Sequence, residues 1–334
     1  MMKVSFYSYK GGSGRSTTLW NTVQRLIELM KPTRQEPFVI VDADTESAGS
    51  TFLFGAKSMF IRDGRYASVQ RRMIKRDDTN YAASPETKER FFDRMYPIGK
   101  KMFDLEDDRA VLFIGANTDR NYSAEIGVDT TGKDITQLKN FTQNITKACE
   151  ACGTKALFFD TPSGTQALAM HSIRDSDIIV CCMRPTKQFI EGTLGQLIDL
   201  VTNDKKTGIP KKYILTPTAV CLDKDQKFDN FEYPLQALKV IKIEFSAEGT
   251  MDEDEEIKGA FKENVKLDML SATPQECKLY PNPEGDLIFG IPEVKRFKWS
   301  ERCLGCIEPD RLIPNDKIAL NRYNYLAKTI KKYS

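Results

Sequence analysis

A single histidine, His171, stands in 334 residues, and that scarcity excludes a histidine-based catalytic triad and a multi-histidine metal site. Long apolar runs are missing too. None approaches the roughly 18 residues that a bilayer-spanning helix needs. Lys10 and the glycines after it interrupt any signal-peptide pattern near Met1, so a cytoplasmic protein is expected. Charge of one sign is absent: 49 Lys+Arg against 47 Asp+Glu leave a net charge of +2, so only local clusters argue for a partner. No internal repeat and no low-complexity segment interrupts the chain. The 8 cysteines would suit disulfides only in an oxidising compartment, which nothing else indicates. Two pairs, Cys149/Cys152 and Cys303/Cys306, have C-x-x-C spacing and offer thiolates for zinc or an iron–sulfur cluster. Cys149 and Cys152 close a helix-patterned run just before an apolar stretch, where small thiols are ordinary core filler.

What is present is organised around residues 9–18, Tyr-Lys-Gly-Gly-Ser-Gly-Arg-Ser-Thr-Thr. Val4 and Phe6 mark a strand before it, and Leu19, Val23, Leu26, Ile27 and Met30 follow at helical spacing. Strand, glycine-rich turn and helix aim backbone N–H groups and a positive helix end at an anion. Gly11, Gly12 and Gly14 let the backbone approach phosphate oxygens. Ser16 stands where a phosphate-binding loop of this kind places its Mg²⁺-binding hydroxyl. Tyr9 and Arg15 break the general G-x-x-x-x-G-K-[ST] pattern.

Lys10-Gly11-Gly12-Ser13-Gly14-Arg15-Ser16-Thr17 resembles the deviant Walker A motif of the ParA/MinD-like P-loop ATPases, K-G-G-x-G-K-[ST]-[ST], with Arg15 as its one departure. The resemblance implies that the loop from Gly11 to Thr17 binds nucleotide and that Lys10 reaches across a dimer interface to the partner's nucleotide. Phe38–Asp42 reads as a buried strand ending in acid, followed by Asp44, the D-x-D of that family. By the same resemblance Asp44 orients the attacking water and Asp42 stands behind the metal. Ala156–Asp160 followed by Thr161-Pro162-Ser163-Gly164 resembles the Walker B strand and its "DTPPG" turn, which implies Asp160 for Mg²⁺, with Ser16, and Asp160 with Gly164 as the switch.

Further apolar strands are expected at 111–115, 178–183, 213–216 and 287–292, the last similar to the family's terminal "g-I-P". Thr216-Pro217 stands where relatives carry an adenine-contacting asparagine, which leaves base specificity open. Strand and helix patterns alternate. The expected fold is α/β, a doubly wound, mainly parallel sheet of the P-loop NTPase, SIMIBI-like kind. It would form a single domain over residues 1–334, with charged insertions at about 57–110 and about 221–285. The first insertion carries the basic run Arg62, Arg65, Arg71, Arg72, Lys75 and Arg76, read as a solvated helical face or as a docking surface for non-specific DNA or an acidic protein partner. The second carries Asp252–Glu256, read as a solvated helix start or loop.

The C-terminal run from Asp316 is helical, with only Leu326 and Ile330 as lipid-facing candidates, so no membrane anchor is expected. Tyr323, Tyr325 and Tyr333 superficially fit a bacterial tyrosine kinase, but the spacing turns Tyr323 toward the core. The resemblance implies a homodimerising switch that binds ATP and Mg²⁺ and hydrolyses ATP slowly, in DNA or cargo partitioning, positioning or regulation. Arg15 keeps alive the alternative of a non-hydrolysing scaffold that senses nucleotide and recruits a protein partner.

Overall fold

The computed structural model describes residues 1–60, 65–74, 85–119, 121–122, 135–207, 211–220, 265–266, 290–298 and 302–334. Short apolar stretches rich in Val, Ile and Phe, bounded by turns, form the strands. In chain order the elements are β1 (Met2–Tyr7), α1 (Arg15–Met30), β2 (Phe38–Asp42), α2 (Gly49–Leu53), α3 (Lys57–Phe60), α4 (Val69–Ile74) and α5 (Pro85–Asp93). They continue with β3 (Tyr96–Pro97), α6 (Gly99–Phe103), β4 (Val111–Ile114), α7 (Ile135–Ala151), β5 (Ala156–Asp160), α8 (Ala167–Arg174) and β6 (Ile178–Met183). The last are α9 (Lys187–Thr207), β7 (Lys212–Pro217), β8 (Val265–Lys266) and α10 (Pro314–Tyr333).

The sheet runs β3-β4-β2-β5-β1-β6-β7-β8, and every neighbouring pair is parallel except β3 with β4. After β1 the chain crosses to β2 on one side, and after β5 it crosses back to β6 on the other. The carboxyl ends of β1, β2 and β5 therefore flank a topological switch point, where open α/β sheets hold ligands. Because side chains alternate along a strand, the central strands feed two cores. Val4, Phe6, Phe38, Ile40 and Phe158 pack under α1 and α10. Val39, Val41, Leu157 and Phe159 pack under α4, α5, α7 and α8.

Several sequence expectations change here. The stretch 57–110 is charged, yet its apolar residues enter the core: Phe60, Ile98 and Phe103 on one face of the sheet, Val69, Phe91, Phe92 and Met95 on the other. It also supplies the antiparallel edge strand β3. Arg72 leaves the basic face: it is buried, lies over the Phe91 ring and donates to the Arg94 carbonyl. Arg65 is exposed and Arg71 half-buried, while Arg62, Lys75 and Arg76 lie outside the described residues. So does Asp252–Glu256, and only Val265–Lys266 of the stretch 221–285 is described. Of the expected strand at 287–292, Pro292 makes an isolated parallel bridge to Val220, and 287–289 lie outside the described residues. Tyr323, Leu326 and Ile330 are buried against the α1 side, so Leu326 and Ile330 are core residues and not a lipid-facing stripe. Among the described residues no helix is long and apolar enough to cross a membrane.

The two C-x-x-C pairs do not meet. Cys149 and Cys152 sit in one core and Cys303 and Cys306 pack against the other, on the opposite face of the sheet, so a shared four-thiolate site is ruled out. Among the described residues no three His, Cys, Asp or Glu side chains form a metal cage. The described cysteines are free thiols, and all but Cys306 are buried. A hydrogen bond from Cys303 draws the Cys306 thiol below its ordinary pKa, whereas burial pushes Cys303 well above it. Since the thiolate is the nucleophile, iodoacetamide should alkylate Cys306 in the native protein before Cys149, Cys152, Cys181, Cys182 or Cys303. Peptide mass spectrometry over a labelling time course checks this, and equal early labelling of Cys149 would contradict it.

Candidate functional site

The turn between β1 and α1 has Gly12 at φ 76° and Gly14 at φ 73°, the left-handed region that favours glycine. Gly14 is also the N-cap of α1, so the first N–H groups of a 16-residue helix open toward the turn. Beside them lies a cavity of about 350 Å³, lined by Ser8, the loop from Gly11 to Thr17, Asp44, Glu46, Ser47, Ser163 and Gln166. Neighbouring strands hold the loop. Thr218, just past β7, donates its hydroxyl to the Ser13 carbonyl, and Arg184 at the end of β6 donates from Nε to the Gly12 carbonyl at 2.8 Å. Ser13 is buried, and its own Oγ has no partner among the described residues. Lys10 is half-buried and does not line the cavity.

Parallel pairing of β2 with β5 puts Asp42 and Asp160 in register at the carboxyl ends of their strands. Both are fully buried, and Asp44 is nearly so. Arg15 enters this acidic corner. Its Nε donates to Asp160 Oδ1 at 2.7 Å, Nη2 to Asp44 Oδ2 at 2.8 Å and Nη1 to Ser8 Oγ at 3.3 Å. Arg15 lines the cavity at 7 % exposure, but its charge-assisted bonds go to carboxylates. That differs from the phosphate-facing role expected of it. The reason is charge: buried carboxylates demand a paired cation, and a planar fork reaches two at once. Burial acts against the guanidinium charge, but Asp160 and then Asp44 outweigh it and raise the Arg15 pKa.

The remaining carboxylate oxygens are held by small residues in and before α2. Ser50 Oγ donates to Asp160 Oδ2 at 2.6 Å. The Ser47 N–H donates to Asp44 Oδ1 at 3.0 Å, and its hydroxyl to Asp44 Oδ2. Thr51 gives Asp42 Oδ2 both its N–H, at 2.7 Å, and its hydroxyl, at 2.6 Å. Gly49 packs closely on Ser16: a Cβ there would lie 2.7 Å from Ser16 Oγ and force that hydroxyl to turn. Of these carboxylate oxygens, Asp42 Oδ1 has no partner among the described residues. Across the site, Gly164 stands at φ 73° and donates its N–H to the Ser8 carbonyl at 2.9 Å, so that group is committed to the glycine loop and not to the cavity. Thr161 is likewise tied to the Phe6 carbonyl.

The structure thus brings together Gly11 to Thr17, Asp42, Asp44 and Asp160; of these Gly11 to Thr17 and Asp44 line the cavity, while buried Asp42 and Asp160, and half-buried Lys10, do not. Sequence reasoning missed Ser8, Ser47, Gly49, Ser50, Thr51, Arg184 and Thr218. The run of small polar residues after Asp44, Thr45-Glu46-Ser47-Ala48-Gly49-Ser50-Thr51, was the available signal. A loop of free N–H groups fits a polyphosphate. The hydroxyl of Ser16, the Asp160 carboxylate and the orphaned Asp42 oxygen are hard oxygen donors that suit Mg²⁺, which takes one or two carboxylates plus phosphate and water. Arg15 supplies the positive charge there in the structure as it stands.

No family model matches the sequence, and no curated protein does. Solved structures match in fold. An ATP complex of a Cyanothece McdA variant matches with a TM-score of 0.53 at 12% identity, over 99% of this chain and 96% of that one. The cell division ATPase MinD of Pyrococcus furiosus matches at 0.52 and 16% identity, over 100% and 99%. Cobyrinic acid a,c-diamide synthase of Mycobacterium smegmatis, with bound ADP and magnesium, matches at 0.53 and 12% identity, over 100% and 95%. The fold is that of the MinD/ParA P-loop NTPases, a mostly parallel sheet with flanking helices.

Burial and then the charge of Asp160 push the Asp42 carboxyl well above the ordinary carboxylate range, against the two hydrogen bonds from Thr51. An acid whose folded pKa is raised contributes stability below its unfolded pKa of about 3.9 and loses it as pH rises through the folded value. Asp42→Asn mimics the protonated acid. Its stability relative to the parent should therefore grow as pH rises from about 4 toward neutrality. Paired urea unfolding curves across that range check this, and a pH-independent difference would contradict it.

Proposed function

We propose that the chain is a nucleotide-dependent switch that binds ATP with Mg²⁺, closes into a homodimer, hydrolyses ATP slowly and reopens. The observation that carries this is the left-handed glycine loop capping α1 over a cavity lined by Asp44 and Glu46, with the buried strand-end acids Asp42 and Asp160 behind it. On this reading the N–H groups from Gly11 to Thr17 bind the phosphates. Ser16, Asp42 and Asp160 would hold Mg²⁺, which when bound neutralises charge on the phosphate oxygens. Asp44 orients the attacking water, and Ser47 fixes the Asp44 carboxylate by two hydrogen bonds. Asp160 and Gly164 act as the switch, with the Gly164–Ser8 hydrogen bond as the contact that changes. No side chain does covalent chemistry; positioning and electrostatics supply the rate.

Lys10 acts in trans. What supports this is that it borders the loop yet does not line its own cavity. Hydrolysis is slow because Arg15, committed to Asp44 and Asp160, must rearrange before those carboxylates are free, and each 1.4 kcal/mol or so of misfit costs tenfold in rate. The cycle serves a ParA-like role in partitioning, positioning or regulation, in the cytoplasm, where the free thiols described here stay reduced. Arg65 and Arg71 are the described part of a face for non-specific DNA or an acidic protein partner. The second reading is a non-hydrolysing scaffold that senses nucleotide and recruits a protein partner. The same Arg15 ion pairs favour it, since they occupy the groups hydrolysis needs.

Sedimentation with ADP, ATP and a non-hydrolysable analogue, followed by phosphate release on the same samples, separates the two. ATP should shift the chain to dimer and release phosphate slowly. Lys10→Ala should lose the dimer while keeping nucleotide, and Asp44→Ala should hold the ATP-bound form. An unchanged dimer fraction in Lys10→Ala, or parental turnover in Asp44→Ala, would remove those roles. ATP-driven dimerisation without phosphate release would select the scaffold.

A further inference from the structure

We infer that Arg15 is a built-in counter-cation for the Asp44–Asp160 pair, so that its guanidinium and a divalent metal compete for the Asp160 carboxylate. Every oxygen of those two side chains already has a partner: Arg15 Nε and Ser50 on Asp160, Arg15 Nη2 and Ser47 on Asp44. Asp160 is fully buried and does not line the cavity, whereas Arg15 does, so the guanidinium stands between that carboxylate and an ion in the cavity. A lysine at this position would be a single point charge, whereas the fork spans both carboxylates with directed, charge-assisted bonds. Mg²⁺ gives up its water reluctantly. It therefore does not displace the guanidinium unaided. Phosphate oxygens at the glycine loop offer Arg15 an alternative bidentate partner, and metal enters once Arg15 has turned to them. This release step rests on the nucleotide reading; the competition itself does not.

The test is thermal unfolding of the full chain, titrated with MgCl₂ against NaCl at matched ionic strength, first without nucleotide. A ligand that binds only the native state raises Tm by mass action. The parent chain should show no magnesium-specific rise. Arg15→Gln should start from a lower Tm and recover with Mg²⁺ at concentrations that leave the parent unchanged. Should Arg15→Gln not fold, Arg15→Lys decides the matter: it keeps the charge but releases one carboxylate, and it too should gain a magnesium response. Identical titrations for parent and variant would overturn the competition. ADP is then added to the parent chain. A magnesium response appearing with ADP supports release by phosphate. ADP that raises Tm yet leaves the chain blind to magnesium overturns release. If ADP has no effect on Tm, the nucleotide reading fails, and the nucleotide-free titration still judges the competition.

Discussion

The site depends on one buried ion-pair cluster, Arg15 between Asp160 and Asp44. Parallel pairing of β2 with β5, and the return of the chain between them, bring acids to the carboxyl edge of the sheet where little water reaches them. Unpaired, such carboxylates are costly: removing one partner from a buried pair typically costs 3–5 kcal/mol, against a total stability of about 5–15 kcal/mol for a domain. The position and chemistry of Arg15 answer that constraint. Thr51, Ser50 and Ser47 then pair the oxygens the guanidinium does not reach, which fixes the start of α2 and the path of the chain after β2. Thr51 extends the network to β4 by accepting the Ala116 N–H at 2.9 Å.

The same cluster gives the site two electrostatic faces. On the loop side, N–H groups and the helix end are positive and open to the cavity. On the strand side, Arg15 offsets part of the negative charge of Asp44 and Asp160. On the proposed reading an anion meets the loop directly, whereas a cation on the strand side must contend with a charge already there. That asymmetry connects the fold to the proposed cycle, because nucleotide arrival and carboxylate release become linked events through one side chain.

Much of this was legible in the sequence. The apolar strands ending in Asp42 and Asp160, the glycines before α1 and the alternation that builds a doubly wound sheet are local patterns, and local patterns survive folding. What sequence could not carry is partner choice. Arg15 reads as a phosphate ligand from its place in the motif, and only the buried acids across the sheet draw it the other way. Arg72 reads as part of a charged face, yet stacking on Phe91 takes it inside. The apolar residues within 57–110 were diluted by charge, so their burial was hidden from any windowed pattern. The strands β3 and β8 are two residues each and exist only by pairing with a neighbour. The C-x-x-C spacings said nothing about which face of the sheet each pair would occupy.

On the proposed reading the turn between β1 and α1 is a phosphate cradle. Isothermal titration of ATP into the parent chain and into Gly14→Val tests it most directly. Gly14 caps α1 at φ 73°, where a β-branched residue is strained whatever the space around it. The parent should bind ATP stoichiometrically and Gly14→Val should lose binding, with the circular dichroism of a folded α/β protein retained. A parent chain that binds no ATP, or a folded Gly14→Val that binds it as tightly as the parent, would contradict it.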